Sequence, residues 1–237
     1  MNSRKILAII RKDMTHYFAS PIGYVVLAVF YFVGGFFFNL IIQQTRSASM
    51  NMVFQNTVIL LLFITPMITM RLWSEEEKTG TAELLRTSPL TLWEIVIGKY
   101  LAVCAFFGVM LSSTFVYLLI IVVLGNPDFG PVVANYMGYI LVAMSFFSIG
   151  LFASTLSENQ IVSAVISYGL LLMLWVIGAA GGNMQGKVGD FIKYVSVFDH
   201  LDDFFKGVLD LSHVFYFLSL IFLGLFFSVK VLESKRN

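Results

Sequence analysis

The chain contains six apolar segments, each close to the roughly 20 residues that an α-helix needs to cross the hydrocarbon core of a membrane. A soluble fold could not bury a sequence that is 58% hydrophobic and only 12% charged, so lipid must be the solvent for most of these segments. We therefore predict an all-α integral membrane protein that forms a single domain over residues 1–237. The predicted transmembrane helices are residues 22–42, 52–70, 100–124, 136–156, 161–180 and 212–229.

The distribution of lysine and arginine between the spans predicts the orientation of the chain. Eleven of these residues lie before the first span, in the 71–99 loop or after the last span, whereas four lie in the connections on the opposite side. Cytoplasmic segments of membrane proteins carry the excess of positive charge. We therefore predict that both termini and the 71–99 loop are cytoplasmic.

Two further segments have the pattern of amphipathic helices at a membrane surface. Residues 1–20 place apolar side chains on one helical face and basic side chains on the other, which predicts an interfacial helix. In the outer loop, residues 181–211, apolar side chains recur at near-helical spacing between aspartate and lysine residues. We predict that this loop forms amphipathic helices on the outer membrane face before the last span.

The interiors of the six predicted spans contain no Asp, Glu, Lys, Arg or His. Ion-coupled carriers usually keep ionisable side chains in the membrane, and intramembrane metalloenzymes need metal ligands there. The sequence therefore argues against a channel, a secondary carrier or a membrane-embedded enzyme, and it predicts no catalytic residue and no cofactor bound by this chain. Energy for uphill transport would have to come from another polypeptide. A membrane scaffold without such a partner is the alternative.

Two motifs in the outer loop could suggest ligand sites, and we interpret neither in that way. Gly181, Gly186 and Lys187 have the spacing of a nucleotide-binding loop, but Val188 stands where a magnesium-binding hydroxyl is required. The second group contains Asp199, His200, Asp202 and Asp203. It could bind a metal such as copper, but we interpret it as the polar face of an amphipathic helix.

The 71–99 loop is predicted to be a folded helical element rather than a slack linker. Hydroxyl side chains that could cap helices occur at Ser74 (with Glu77), at Thr81 and at Thr91 (with Glu94). Such pairs mark the first turn of a helix, because each side chain accepts a backbone hydrogen bond from the other residue. The pattern is consistent both with a solvated loop and with a docking element for a cytoplasmic protein.

This loop resembles the signature of type 2 ABC-transporter permeases. The matching residues are Glu77-Lys78, Gly80-Thr81, Glu83, Leu84-Leu85, Ser88-Pro89 and Gly98-Lys99. The short connection after the fourth span also resembles that family, and the basic N-terminal segment resembles its elbow helix. The resemblance therefore covers nearly the whole chain.

The resemblance implies that the loop contains a coupling helix, which inserts into a groove of an ATPase subunit. The residues expected to contact the ATPase are Glu77, Lys78, Gly80, Thr81, Glu83, Leu84, Leu85, Arg86 and Pro89, together with Ser157, Glu158 and Asn159 on the second connection. Two copies of that partner would bind ATP and magnesium, so ATP hydrolysis would take place outside this chain.

The same resemblance implies the surroundings of the protein. A second permease copy or a paralogue is expected beside it in the bacterial inner membrane, in contact with lipid, and no nucleic-acid partner is expected. Residues 198–220 resemble the subgroup of the gliding-motility permease and the nitrous-oxide-reductase maturation permease. The gliding-motility interpretation implies export of a substrate or force transmission to an extracytoplasmic protein. A role in maturing a copper- or sulfur-type cofactor is the alternative.

Overall fold

The computed structural model describes residues 3–45, 50–125, 127–181 and 194–236, and within these ranges the chain consists of helices and short turns, with no strand. The predicted all-α fold is therefore confirmed. The helices are α1 (Ser3–Ala19), α2 (Pro21–Thr45), α3 (Asn51–Thr69), α4 (Ser74–Lys78), α5 (Thr81–Thr87), α6 (Leu92–Ser112), α7 (Thr114–Leu124), α8 (Phe129–Leu156), α9 (Gln160–Gly181), α10 (Val197–Phe205) and α11 (Leu211–Arg236).

Six helical stretches are long and apolar enough to cross a membrane, which confirms the predicted number of spans. They are Pro21–Gln44, Asn51–Lys78, Leu92–Val123, Phe129–Leu156, Gln160–Gly178 and Leu211–Lys235. A helix suits this environment because it satisfies its backbone hydrogen bonds internally, where lipid offers no partner. The chain is a multi-pass membrane protein.

Helix α8 forms the centre of the bundle and packs against α3, α9, α10 and α11. Small side chains make its contact with α11 close. The hydroxyl of Ser145 lies 3.3 Å from the carbonyl oxygen of Phe217, and that of Ser148 lies 3.4 Å from the carbonyl oxygen of Leu220. Small residues and interhelical hydrogen bonds drive helix association in membranes, where lipid removes the hydrophobic driving force between helices.

Some helix ends differ from the predicted spans. The helix of the third span begins as α6 at Leu92, before the apolar segment that starts at residue 100, because Thr91 and Glu94 form the predicted capping box. Lys99 therefore lies inside this helix. The largest of the other displacements are Phe129 in place of residue 136 and Arg236 in place of residue 229. Hydropathy marks the part of a helix that faces hydrocarbon, whereas these helices continue beyond it.

The third span is interrupted at Ser113, between α6 and α7. Three consecutive hydroxyls, those of Ser112, Ser113 and Thr114, donate to carbonyl oxygens three residues before them, at 2.7 to 2.9 Å. The N–H of Ser113 reaches the carbonyl of Met110 at 3.4 Å. Such back-bonding competes with the backbone hydrogen bonds of a helix. We call these residues the hydroxyl triplet, and they account for the break.

The two amphipathic helices pack on the bundle itself. Helix α1 crosses α6 at Gly98, where a Cβ would lie only 2.9 Å from Cβ of Ile9. Helix α10 buries Leu201 and Phe204 and packs against α8. Its apolar face therefore contacts protein, where the sequence predicted contact with the membrane. Residues 182–193, which include most of the glycine–lysine motif of the outer loop, lie outside the described residues.

Both termini lie at the same end of the bundle as α4 and α5. Lys5, near the N-terminus, donates to the carbonyl oxygen of Pro89. Lys235, near the C-terminus, lies 3.8 Å from the carboxylate of Glu77. We call this the terminal end of the bundle, and it carries the residues that the sequence predicts to contact a partner.

Candidate functional site

Helices α4 and α5 form a short hairpin at the terminal end, which we call the α4–α5 hairpin (residues 74–87). Helix α4 ends because the N–H of Gly80 bonds to the carbonyl oxygen of Glu77, three residues before it, and Gly80 adopts φ of +73°, a left-handed conformation that favours glycine. The next helix starts directly from Gly80. The glycine of the predicted Gly-Thr pair therefore makes the turn of the hairpin.

Two of the predicted caps are wrong. Ser74 does not cap α4, because its hydroxyl bonds back to the carbonyl oxygen of Met70 and the N-cap residue is Trp73. Thr81 does not cap α5, because it is already helical and Gly80 occupies the N-cap position without a side chain. The chain enters α4 by a continuous turn from α3, so the first N–H groups of α4 have other partners.

Several of the residues predicted to contact an ATPase form one exposed surface on the hairpin. This surface consists of Lys78, Gly80, Thr81, Glu83 and Leu84, and Pro89 is exposed beyond it. Leu84 is 71% exposed. It lies between two spans and not within one, so contact with the hydrocarbon core does not explain this exposure. We call this set the hairpin surface.

Other predicted contact residues lie differently. Leu85 is half-buried and packs against the core, so it supports α5 from beneath. Glu77 accepts a hydrogen bond from the indole N–H of Trp73 at 2.9 Å and faces Lys235. The backbone of Arg86 lies in α5, and its side chain lies outside the described part of the structure. Leu85 and Glu77 are thus placed to hold the hairpin rather than to form its outer surface.

A charge cluster fixes the hairpin to the bundle. It consists of Lys12 and Asp13 from α1, Glu76 from α4 and Lys99 from α6. The Nζ atoms of Lys12 and Lys99 lie 2.6 and 2.9 Å from the same oxygen of Glu76, and Nζ of Lys99 lies 3.6 Å from Asp13. The side chain of Lys99 is only 2% exposed. One buried ammonium group therefore joins three helices.

The electrostatics of the charge cluster follow from its burial. Burial raises the pKa of Asp13 above its usual range, and the nearby positive charge of Lys99 only partly offsets this. Burial alone would lower the pKa of Lys12, but the hydrogen bond and the negative charge of Glu76 outweigh it, so the pKa of Lys12 is raised. A buried charge is tolerated when it is paired and costly when it is not.

A single serine joins the start of the hairpin to α8. The hydroxyl of Ser154, near the end of α8, accepts hydrogen bonds from the N–H groups of Trp73 and Ser74 at 3.0 and 3.2 Å. It also donates to the carbonyl oxygen of Met70 at 3.1 Å. These bonds satisfy the first N–H groups of α4 that Ser74 does not cap. Movement of the hairpin is therefore mechanically tied to the end of α8.

The second connection is shaped by its own side chains. Ser157 accepts a hydrogen bond from the N–H of Asn159 at 3.1 Å, and the side chain of Asn159 accepts one from the N–H of Ile161 at 2.9 Å. Ser157 and Asn159 thus form the turn before α9, and Glu158 between them is exposed. Of the three predicted contact residues, Glu158 has the side chain that is free to reach a partner.

The sequence missed Asp13, Trp73 and Ser154, which hold this site together, and it missed the ion pairs of Lys99. Gly98-Lys99 was part of the recognised pattern, and the structure gives its physical meaning. Gly98 admits α1 against α6, and Lys99 pairs with the carboxylates that this close approach brings in. An aspartate between basic residues, such as Asp13, was the available signal for the cluster.

The outer group considered for metal binding is not assembled as one site. His200 lies beside His213 from α11, which the sequence did not connect to it. Within the described ranges, no group of three or more His, Cys, Asp or Glu side chains is arranged to hold a metal ion.

Comparison with known protein families gives one match. A family model described as "ABC-2 family transporter protein" matches residues 7–229, which is nearly the whole chain. No curated protein matches the chain.

Proposed function

The chain belongs to the ABC-2 family of transporter proteins, and from that membership we propose that it is a permease subunit. Its hairpin surface contacts a partner ATPase and transmits the conformational change of that ATPase to the membrane helices. The family makes it a component of membrane transport that works with an ABC ATPase. We identify the residues that contact the ATPase from their exposure on the hairpin surface of this chain.

The observation that carries the proposal is an exposed leucine on a rigidly held hairpin. Leu84 presents an apolar side chain beside Glu83 on a surface outside the spans, where nothing in the described chain covers it. An apolar centre with a polar rim is the usual anatomy of a protein–protein interface. A solvated loop would have no need of the buried ion pairs that hold this hairpin in place.

The charge cluster supports transmission of force. A push on the hairpin surface reaches Glu76, and from there Lys12 in α1 and Lys99 in α6. Separating these charges inside a low-dielectric site is costly. The hairpin, α1 and the first half of α6 therefore move together, and Ser154 carries the same movement to α8.

We extend the proposal to the assembly. Two ATPase subunits bind ATP and magnesium, a second permease copy or paralogue completes the membrane part, and both termini face the cytoplasm of a bacterium. This chain performs no catalysis of its own. The resemblance of residues 198–220 supports a gliding-motility complex that exports a substrate or transmits force to an extracytoplasmic protein. A cofactor-maturation permease is the alternative within the subgroup.

The test is purification of tagged chains from native membranes, with quantification of the ABC ATPase that accompanies them. Leu84→Arg is expected to reduce the recovered ATPase at least about tenfold, since loss of a hot-spot residue costs 2 kcal/mol or more. Leu209→Arg is the matched control, because it makes the same change at an exposed leucine between α10 and α11. Leu84 is preferred to Leu85, whose replacement would also disturb packing.

The outcomes separate the hypotheses. Equal ATPase recovery with Leu84→Arg and Leu209→Arg would reject the hairpin surface as the contact. Absence of any ATPase from the unaltered chain, purified under mild conditions, would favour a scaffold without an ATPase partner.

A further inference from the structure

A chain of hydrogen bonds joins α10 to α11 at the end of the bundle opposite the termini. Nδ1 of His200 lies 2.6 Å from Nδ1 of His213. Nε2 of His200 lies 2.9 Å from the carbonyl oxygen of Tyr194, and Nε2 of His213 lies 2.8 Å from a carboxylate oxygen of Asp203. The ring of Tyr216 stacks on His200 with centroids 4.0 Å apart, and His200 is buried.

The outer partners decide which nitrogens carry hydrogens. A backbone carbonyl can only accept, so Nε2 of His200 must donate to Tyr194. A carboxylate also accepts, so Nε2 of His213 must donate to Asp203. Two neutral imidazoles have one N–H each, and both are used in this way. Their Nδ1 lone pairs would then face each other at 2.6 Å, which is repulsive unless a cation lies between them.

The spacing identifies that cation. A metal ion bound by two imidazoles lies about 2.0 Å from each nitrogen, which separates the nitrogens by more than 3 Å even at a tetrahedral angle. The observed 2.6 Å is too short for a metal and fits one shared hydrogen. The fully bonded arrangement therefore contains three N–H hydrogens on two imidazoles, which is one more than two neutral rings carry.

We propose that His200 and His213 together form a binding site for a single proton, whose uptake fastens α10 to the start of α11. Asp203 balances the charge of the resulting imidazolium. When the proton leaves, the central hydrogen bond is lost, and the two rings repel each other. The contact between α10 and α11 is thus complete at lower pH and weakened at higher pH.

Among the residues that the structure describes, few other groups lie where they could set this titration. Lys206 lies 3.8 Å from Asp203 and 2.5 Å from Asp202, and Asp210 precedes the first turn of α11. Two phenols, of Tyr194 and Tyr216, contact the His200 ring. Helices α3, α8 and α9, which pack against α10, contain no acidic, basic or histidine residue. Asp203 is therefore the principal counter-charge.

The test is nitrogen-15 NMR of the full chain labelled at histidine, in detergent micelles. The chain has three histidines, so His16→Gln leaves only the proposed pair in view. Between about pH 5 and about pH 8, the range in which histidine ordinarily titrates, we expect both rings to change together and to take up one proton between them. The second proton is expected only under more acidic conditions, because two adjacent imidazolium ions repel each other.

A carboxylate variant tests the role of the counter-charge. Asp203→Asn is expected to shift proton uptake to lower pH, whereas Asp199→Asn on the same helix is expected to shift it much less. Two rings that each take up a proton independently over the same range would overturn the proposal. So would stoichiometric metal in the purified chain, measured by elemental analysis.

Discussion

At the scale of single residues, the charge cluster shows how a membrane protein can place an ammonium group where water is scarce. Lys99 is buried because α1 and α4 bring Asp13 and Glu76 to it. The sequence shows which residue types are present, but it could not predict that these three side chains lie close together. They come from segments that are separated in the chain. Lys99 was accordingly recognised as part of a family pattern at the end of the 71–99 loop, and not as the centre of an ion-pair cluster.

Removal of the central charge should destabilise the protein. Lys99→Met leaves Glu76 and Asp13 with less compensation in a buried site, and we expect a loss of about 3 kcal/mol in the free energy of unfolding. Unfolding titrations in detergent would measure it. Lys206→Met is the control, because that lysine forms a solvent-exposed pair with Asp202 and should have a much smaller effect. Equal effects of the two substitutions would contradict the assigned role of Lys99.

The raised pKa of Asp13 predicts a pH dependence with a defined sign. A raised pKa in the folded state means that the folded chain holds this proton more tightly than the unfolded chain. From about pH 4 upwards, the free energy of unfolding should therefore fall as the pH rises through the interval between the two pKa values. Asp13→Asn removes this term, so the stability of the unaltered chain relative to that variant should decrease with pH.

Asp210 provides a control of opposite sign. Hydrogen bonds from Ser212 lower the pKa of Asp210. Its contribution is present above the unfolded pKa and is lost as the pH falls through the folded one. Comparison with Asp210→Asn should therefore show relative stability rising with pH. If the two comparisons have the same slope, the interpretation of Asp13 is wrong.

At the scale of elements, the hairpin and α6 illustrate which local patterns specify structure. The capping box of Thr91 and Glu94 was predicted correctly, because both partners lie within one turn. The cap predicted for Ser74 failed, because a hydroxyl from α8 takes its place. Patterns that are satisfied within a few residues could be predicted, and those that depend on a neighbouring helix could not.

The crossing of α1 over α6 can be tested at its closest point. Gly98→Ala places a methyl group against Ile9, and we expect a loss of about 1 to 3 kcal/mol in the free energy of unfolding. In the double variant with Ile9→Ala, the combined loss should be smaller than the sum of the two single losses, since the shorter side chain makes room for that methyl group. Additive losses in the double variant would mean that the two residues do not compete for space.

The same helix supplies a matched control. A Cβ at Gly108 would meet nothing within 4 Å. Gly108→Ala should therefore leave stability unchanged or raise it by up to about 1 kcal/mol through the higher helix propensity of alanine.

At the scale of the whole molecule, α11 connects the two ends. It begins beside the proposed proton site and ends where Lys235 faces Glu77. The number of spans followed from hydropathy, because the length of an apolar segment is a local property. The contact between His200 and His213 could not be predicted in this way, because it depends on the conformation of the turn between α10 and α11.

The orientation of the bundle can be measured with single cysteines. Cys104 is the one cysteine of the chain, so Cys104→Ala gives a clean background. A membrane-impermeant thiol reagent applied to spheroplasts should label Leu209→Cys directly and Glu158→Cys only after permeabilisation. Labelling of Glu158→Cys alone in intact spheroplasts would invert the predicted topology, and equal labelling of both would rule out placing them on opposite sides.

The hydroxyl triplet has a mechanical consequence for the third span. Ion pairs clamp the first half of that span to α1 and α4, whereas its backbone is weakened at Ser113. A helix that is held at one end and weakened in its middle bends at the weakened residues. The hydroxyl triplet is therefore the hinge of the third span. On one side of it the helix moves with α1 and α4, and on the other side α7 keeps its own contacts with α2 and α8, through Tyr117 and Phe115.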